Sequence, residues 1–169
     1  MRKCIVVVDM QNDFIDGSLG TPEAQAMLPH LINKLEKERE AALIFTQDTH
    51  SKDYLETQEG RNLPVRHCIK PEKGWEICAS LSIFLARSIA IIEKPTFGST
   101  QLPQYVADYD EIELVGLCTD ICVISNALLL KAFYPEKTIS VDAACCAGVS
   151  IESHQNALDA MKMCQIVIN

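Results

Sequence analysis

Six short apolar runs punctuate the chain, and stretches with helical periodicity fill most of the gaps between them. Residues 5–8, Ile-Val-Val-Val, form an unbroken β-branched run that suits a strand covered on both faces. Thr21 and Pro22 then supply a cap and a first helical residue, opening a helix that reaches about residue 39. Ala26, Met27, Leu31 and Leu35 make its apolar stripe, with charges opposite. Further strands are predicted over 41–46, 90–93, 111–115, 138–142 and 165–168. Further helices are predicted within 76–85 and over 101–107, 122–134 and 151–163, with a turn over 95–100. Residues 51–73 show no periodicity; they are polar and broken by Gly60, Pro64 and Pro71. A loop of that length in a compact domain is usually functional. Strand alternating with helix implies an α/β fold, a parallel sheet with helices on both faces. No repeat, low-complexity segment or linker divides residues 1–169, so one domain is expected.

Sites in such sheets form just beyond the carboxyl ends of the strands. Asp9, Asp48, Lys94 and Cys122 each follow the end of a different strand. Singly, each reads as a solvated loop residue; four reactive groups at one edge mark that edge as the site. The stretch from Leu114 to Leu130 reads as an apolar strand, a turn at Gly116 and an apolar helix starting at Cys122. First-turn amides lack partners and the helix dipole is positive there, which favours a thiolate. The bland alternative is that Cys122 is a small buried hydrophobe, the commonest state of a free cysteine.

Composition limits the partners. At 22% charged and 48% hydrophobic the chain is globular, and a net charge of −8 argues against nucleic acid or an anionic membrane. No apolar run approaches the roughly 20 residues of a membrane span, because Arg87 and Glu93 break the best candidate. The N-terminal apolar run is too short for a signal peptide, so the eight cysteines are expected reduced, in a cytoplasm. The vicinal Cys145-Cys146 does not suggest a disulfide framework.

A cysteine, a carboxylate and a lysine suffice for nucleophilic acyl transfer. Asp9 would accept the thiol proton as Cys122 attacks a carbonyl and then return it to a leaving amine. Lys94 would favour the thiolate and hold the carboxylate. Amides around Cys118 and Cys122 would stabilise the tetrahedral oxyanion, and water would hydrolyse the thioester.

Five blocks carry a resemblance: Val8-Asp9-Met-Gln-Asn-Asp-Phe14, Asp48-Thr-His50, Pro64-Val-Arg-His67-Cys68, Glu93-Lys94-Pro95 and Gly116-Leu-Cys-Thr-Asp-Ile-Cys122-Val123. In that order, over nearly the whole chain, they resemble the isochorismatase-like cysteine hydrolases, which include nicotinamidases and related amidases. The resemblance implies a three-layer α/β/α fold with a six-stranded parallel sheet of order 3-2-1-4-5-6. Asp9 and Cys122 would then meet where strands one and four end side by side. It also implies the triad Asp9, Lys94 and Cys122 and a cis peptide between Leu117 and Cys118. Cys122 favours amide over isochorismate hydrolysis, since isochorismatases proper lack that nucleophile. The family's nicotinamidases bind a divalent metal, and Asp48, His50 and His67 match its ligands; Glu59, in the same loop, is the candidate fourth. Zinc or a similar ion suits that set.

By resemblance Phe14 and Phe97 would flank a flat substrate; as plain residues they could equally be core. Leu63-Pro64 stands where family nicotinamidases often carry a tryptophan, and Trp75 is no obvious substitute. His30 and His154 read as ordinary surface residues. The expected reaction is hydrolysis of a small-molecule amide through a Cys122 thioester. Nicotinamide ranks first as substrate, giving nicotinate and ammonia, and a ureido or carbamoyl compound second. The expected partners are that amide and further copies of the chain as a homo-oligomer, with no nucleic acid and no membrane.

Two other classes compete. A thiol-disulfide protein using Cys118 and Cys122 would have C-x3-C spacing rather than C-x2-C, and would leave Asp9 and Lys94 without a task. A catalytically idle binding module would have no use for the complete triad.

Overall fold

Strand β1 (Lys3–Val8) occupies the centre of the fold, with Cys4 through Val8 fully buried. Cys4, Val6 and Val8 enter one hydrophobic layer and Ile5 and Val7 the other, as the alternation of a strand requires. Both faces are apolar, so the run reads as continuous in sequence. The computed structural model describes residues 1–169. After β1 come a helical turn, α1 (Asn12–Ile15), the long helix α2 (Pro22–Lys37) and β2 (Ala42–Asp48). The next connection carries α3 (Gln58–Asn62) and α4 (Ser82–Leu85) and ends in β3 (Ala90–Lys94). Then follow α5 (Leu102–Tyr105), β4 (Glu111–Leu117), α6 (Ile124–Phe133), β5 (Thr138–Ala147), α7 (Ile151–Met163) and β6 (Val167–Ile168). All strand pairs are parallel and the order is 3-2-1-4-5-6, as expected from the family resemblance.

Thr21 Oγ1 accepts from the Ala24 amide at 3.0 Å and caps α2. The helix buries Ala24, Met27, Leu31 and Leu35, so Ala24 rather than the expected Ala26 belongs to the stripe. The segment 76–85, expected to contain a helix, holds a short turn over Ala79–Leu81 and then α4. Its first residues are extended instead: Asn12 N donates to Glu76 O at 3.0 Å and Cys78 N to Met10 O at 2.9 Å. That pairing fastens the loop after β1. β5 continues beyond the expected residue 142 to Ala147, after a register shift opposite Leu114 and Gly116. The Ala-Ala-Cys-Cys-Ala tail carries no β-branched signal and is a strand only because β4 pairs with it.

Gly116 is not the turn. It remains inside β4 with a φ of +116°, and a Cβ there would lie 2.2 Å from Val8 O. Glycine thus lets β4 pair with β1 up to Gly116 itself, and β4 then continues to Leu117 beside β5. The turn follows, a wide loop of helix over Thr119–Val123 in which Val123 N donates to Cys118 O at 3.1 Å. Cys122 therefore sits near the end of the first helical turn rather than at its first residue.

Candidate active site

The register of the sheet brings four strand ends together. Asp48 and Lys94 are direct partners across β2 and β3, while Val8 pairs with Thr46 on one side and Gly116 on the other. Asp9 stops β1 with a left-handed φ of +46°, a conformation aspartate tolerates better than most residues. Its Oδ1 accepts from Thr46 Oγ1 at 2.6 Å. Its Oδ2 accepts no hydrogen bond of regular geometry and is balanced by Lys94 Nζ at 2.6 Å. Lys94 Nζ also donates to Thr96 O at 2.9 Å and lies 3.5 Å from Cys122 Sγ and 3.4 Å from Asp48 Oδ1. Leu117–Cys118 is a cis peptide, as the resemblance implied.

Electrostatics changes one expectation. Burial pushes the Cys122 thiol well above its ordinary value, Asp9 adds to that, and Lys94 opposes it without prevailing. A helix start favours a thiolate, but burial and the Asp9 carboxylate together favour the thiol here. Burial also raises the Asp9 carboxyl against the pull of Lys94, which makes it a better proton acceptor than an exposed aspartate. Burial alone would lower Lys94, but Asp9, Cys122 and Asp48 outweigh it and raise the ammonium. The arrangement sets a thiol, favoured by burial, beside the Asp9–Lys94 pair.

A second cluster adjoins the first through Asp48. Ligand atoms of Asp48, His50, Glu59 and His67 all lie within 4.8 Å of one another. His50 Nε2 is 2.9 Å from Asp48 Oδ2 and 3.6 Å from Glu59 Oε1; His67 Nε2 is 3.6 Å and 3.7 Å from the same two oxygens. His67 Nδ1 lies 2.8 Å from Val65 O, which assigns its proton to that nitrogen and leaves Nε2 as a lone-pair donor. Tyr54 packs against both imidazoles, at centroid distances of 4.7 and 4.9 Å. Burial raises Asp48, but His50, His67 and Lys94 outweigh it and keep this carboxylate ionised. Two imidazoles and two carboxylates converging in this way fit a divalent cation of the zinc type. Glu59, the weakest of the four in sequence, joins because α3 delivers it, with Thr57 Oγ1 capping that helix at the Gly60 amide.

Both clusters open into one cavity of about 210 Å³. Asp48, Glu59, His67, Cys118 and Cys122 reach it, and its walls are Phe14, Leu19, Leu63, Phe97, Ile121 and Val149. No arginine or lysine lines it. Larger cavities lie elsewhere, 310 Å³ between α2 and α7 and 680 Å³ near Arg2 and Lys37. Neither is reached by Cys122 or by any of Asp48, His50, Glu59 and His67, so size is not the criterion here.

Residues 3–169 match the isochorismatase domain family model. The chain belongs to the isochorismatase family. Its relatives include the uncharacterized isochorismatase family protein PncA of Bacillus subtilis strain 168, 28% identical over 94% of this chain and 93% of that protein. Among solved structures, the pyrazinamidase/nicotinamidase of Streptococcus mutans UA159 superposes with a TM-score of 0.85 at 26% identity, covering 99% of both chains. The pyrazinamidase of Pyrococcus horikoshii, solved in complex with zinc, superposes at 0.81 and 24% identity, over 100% of this chain and 99% of that one.

Within this isochorismatase-family fold, every residue expected at the site is found at one sheet edge, Phe14 and Phe97 included. Trp75 stays outside the cavity and donates from Nε1 to Thr49 Oγ1 at 2.9 Å; Leu63 lines the wall instead. His30 is exposed as expected, but His154 is half-buried, its Nδ1 2.7 Å from Thr119 Oγ1. The wide turn before α6 carries Thr119 onto α7, a contact between distant segments. Two further residues escaped sequence reasoning. Gln11 is fully buried and brackets Asp48, accepting from its amide at 2.7 Å and donating to its carbonyl at 2.8 Å. Asn126 is fully buried on α6 and bonded to Cys122 O at 2.8 Å. A polar residue four positions after Cys122 in an otherwise apolar helix was its one visible signal.

Proposed function

We propose that this enzyme, an amidase of the isochorismatase family, hydrolyses a small neutral aromatic amide, with nicotinamide as the leading substrate and nicotinate and ammonia as products. The observation that carries the reading is the shared cavity, where Cys122 and the Asp48–His50–Glu59–His67 cluster meet between apolar walls. Phe14 and Phe97 both line that cavity and offer aromatic faces on which a flat ring would stack. A carboxylate-bearing ureido or carbamoyl acid would find no arginine or lysine to pair with in the lining, since Lys94 is already committed to Asp9.

The chemistry follows from the resting state. As Sγ attacks the amide carbon, the thiol proton passes to Asp9 and the carbonyl oxygen takes up the negative charge. Backbone amides at Cys118 and Cys122 receive that oxyanion. Asp9 then gives the proton to the amide nitrogen, the C–N bond breaks and ammonia leaves an acyl thioester on Cys122. Water attacks the thioester, Asp9 takes its proton and returns it to the departing thiolate, and the acid is released. Lys94 keeps Asp9 fixed and offsets the charge as it moves to sulfur. Asp48, His50, Glu59 and His67 would hold a divalent ion, and a bound zinc-type ion would supply a Lewis-acid partner for a ring nitrogen. Tyr54 and the Val65 carbonyl orient the imidazoles for that role.

Ammonia release from nicotinamide, pyrazinamide, N-carbamoylsarcosine and ureido acids tests the assignment. Nicotinamide and pyrazinamide should be cleaved with the highest kcat/KM. A ureido or carbamoyl acid cleaved faster than either would transfer the assignment to that class and leave the thioester route intact.

A further inference from the structure

We propose that Asn126 is a positioning residue that holds the nucleophile's turn and one aromatic wall of the cavity in a single register; this rests on the amidase reading above. Its side chain is fully buried and spends both amide donors and one acceptor site of its oxygen on backbone groups. Nδ2 donates to Cys122 O at 2.8 Å and to Phe97 O at 3.2 Å, while Oδ1 accepts from Ser99 N at 2.9 Å. The partners themselves fix the amide's orientation, because two carbonyls need a donor and one N–H needs an acceptor.

Those partners belong to segments far apart in sequence. Cys122 lies in the turn after β4, and Phe97 and Ser99 lie in the connection after β3. That same connection supplies Thr96 O to Lys94 Nζ at 2.9 Å and the Phe97 ring to the cavity wall. Phe97 remains 42% exposed, so packing alone does not fix its ring. The connection crosses α6 closely, since a Cβ on Gly98 would lie 3.6 Å from Ser125. Asn126 thus joins the backbone of the nucleophile, the carbonyl that steadies Lys94 and the wall against which a ring would stack. A catalytic geometry assembled from two loops needs such a tie, because small displacements of reacting groups are costly in rate.

The test uses Asn126→Asp, which keeps an acceptor for Ser99 N and removes the amide donors, and Asn126→Leu, which removes all three bonds. In folded protein of unchanged metal content, both should lower kcat on nicotinamide by about tenfold to a hundredfold and raise KM by about tenfold. Iodoacetamide labelling of Cys122, read by peptide mapping, should slow in parallel. A folded variant with wild-type kcat, KM and labelling rate would overturn the proposal, as would a loss of thermal stability alone. If Asn126→Leu fails to fold, Asn126→Asp decides. If the wild-type protein cleaves no amide, the functional reading fails separately, and unchanged labelling in the variants would still overturn the positioning role.

Discussion

Lys94 Nζ stands 2.6 Å from Asp9 Oδ2, with the two side chains 1% and 0% exposed. A pair so placed is stabilised by each partner's presence far more than by any net gain over an apolar pair. Lys94→Met should therefore destabilise the protein by about 3–5 kcal/mol in urea unfolding, since it strands a buried carboxylate. Asp9→Asn should cost less, because Lys94 keeps Thr96 O at 2.9 Å and Asp48 Oδ1 at 3.4 Å. Both variants should lack turnover. Equal stability losses would contradict this ordering.

The Cys122 thiol should respond to Asp9 in a direction that separates reactivity from catalysis. Asp9 pushes the thiol up and Lys94 pulls it down, with burial the largest effect. Removing the Asp9 charge leaves the ammonium alone beside the sulfur. Asp9→Asn should then shift the pH profile of Cys122 alkylation to lower pH and speed labelling near neutrality, while hydrolysis stops for want of a proton acceptor. Cys164 is exposed and will label in every variant, so peptide mapping must resolve the two sites. A profile shifted upward would refute the assigned electrostatics.

Metal removal should act mainly on binding. If the Asp48–His50–Glu59–His67 cluster orients a ring nitrogen, chelation should raise KM for nicotinamide more than it changes kcat. Benzamide, which has no ring nitrogen, should be a poorer substrate of the metal-loaded protein and should be little affected by the chelator. Glu59→Gln should weaken metal retention in a dialysis and elemental-analysis assay. Equal cleavage of benzamide and nicotinamide by the metal-loaded protein would remove the orienting role.

Away from the site, Glu113 on β4 is 2% exposed and receives Lys3 Nζ at 2.8 Å, Lys34 Nζ at 2.9 Å and Asn169 Nδ2 at 2.8 Å. Burial alone would raise its carboxyl, but these three partners outweigh it and lower it. A lowered folded-state value means the stabilisation is fully present above the unfolded value of about 4.3. It is lost as the pH falls through the lower folded value. Urea midpoints should accordingly decline as the pH falls below about 4.3, and Glu113→Gln should flatten that decline while lowering stability near pH 7. An identical decline in the variant would assign the acid sensitivity to other carboxylates.

The amino-acid order by itself determined the strand–helix alternation, because residues such as Ile5–Val8 can be satisfied only between two apolar layers. It also determined which groups lie at strand ends, since Asp9, Asp48 and Lys94 directly follow or finish apolar runs. Those are local properties, carried by periodicity and by abrupt changes of polarity. Tertiary structure decided whatever depended on partners distant in sequence. The 143–147 tail is a strand because Gly116 and Leu117 pair with it, and Glu76–Cys78 is extended because the loop after β1 offers hydrogen bonds. Asn126 and Gln11 became parts of the site only when the connection after β3 and the end of β2 came within reach of their amides. The protonation of Cys122 was misjudged for the same reason. A helix start is visible in sequence and favours a thiolate, but full burial beside the Asp9 carboxylate favours the thiol, and burial is a property of the folded chain alone.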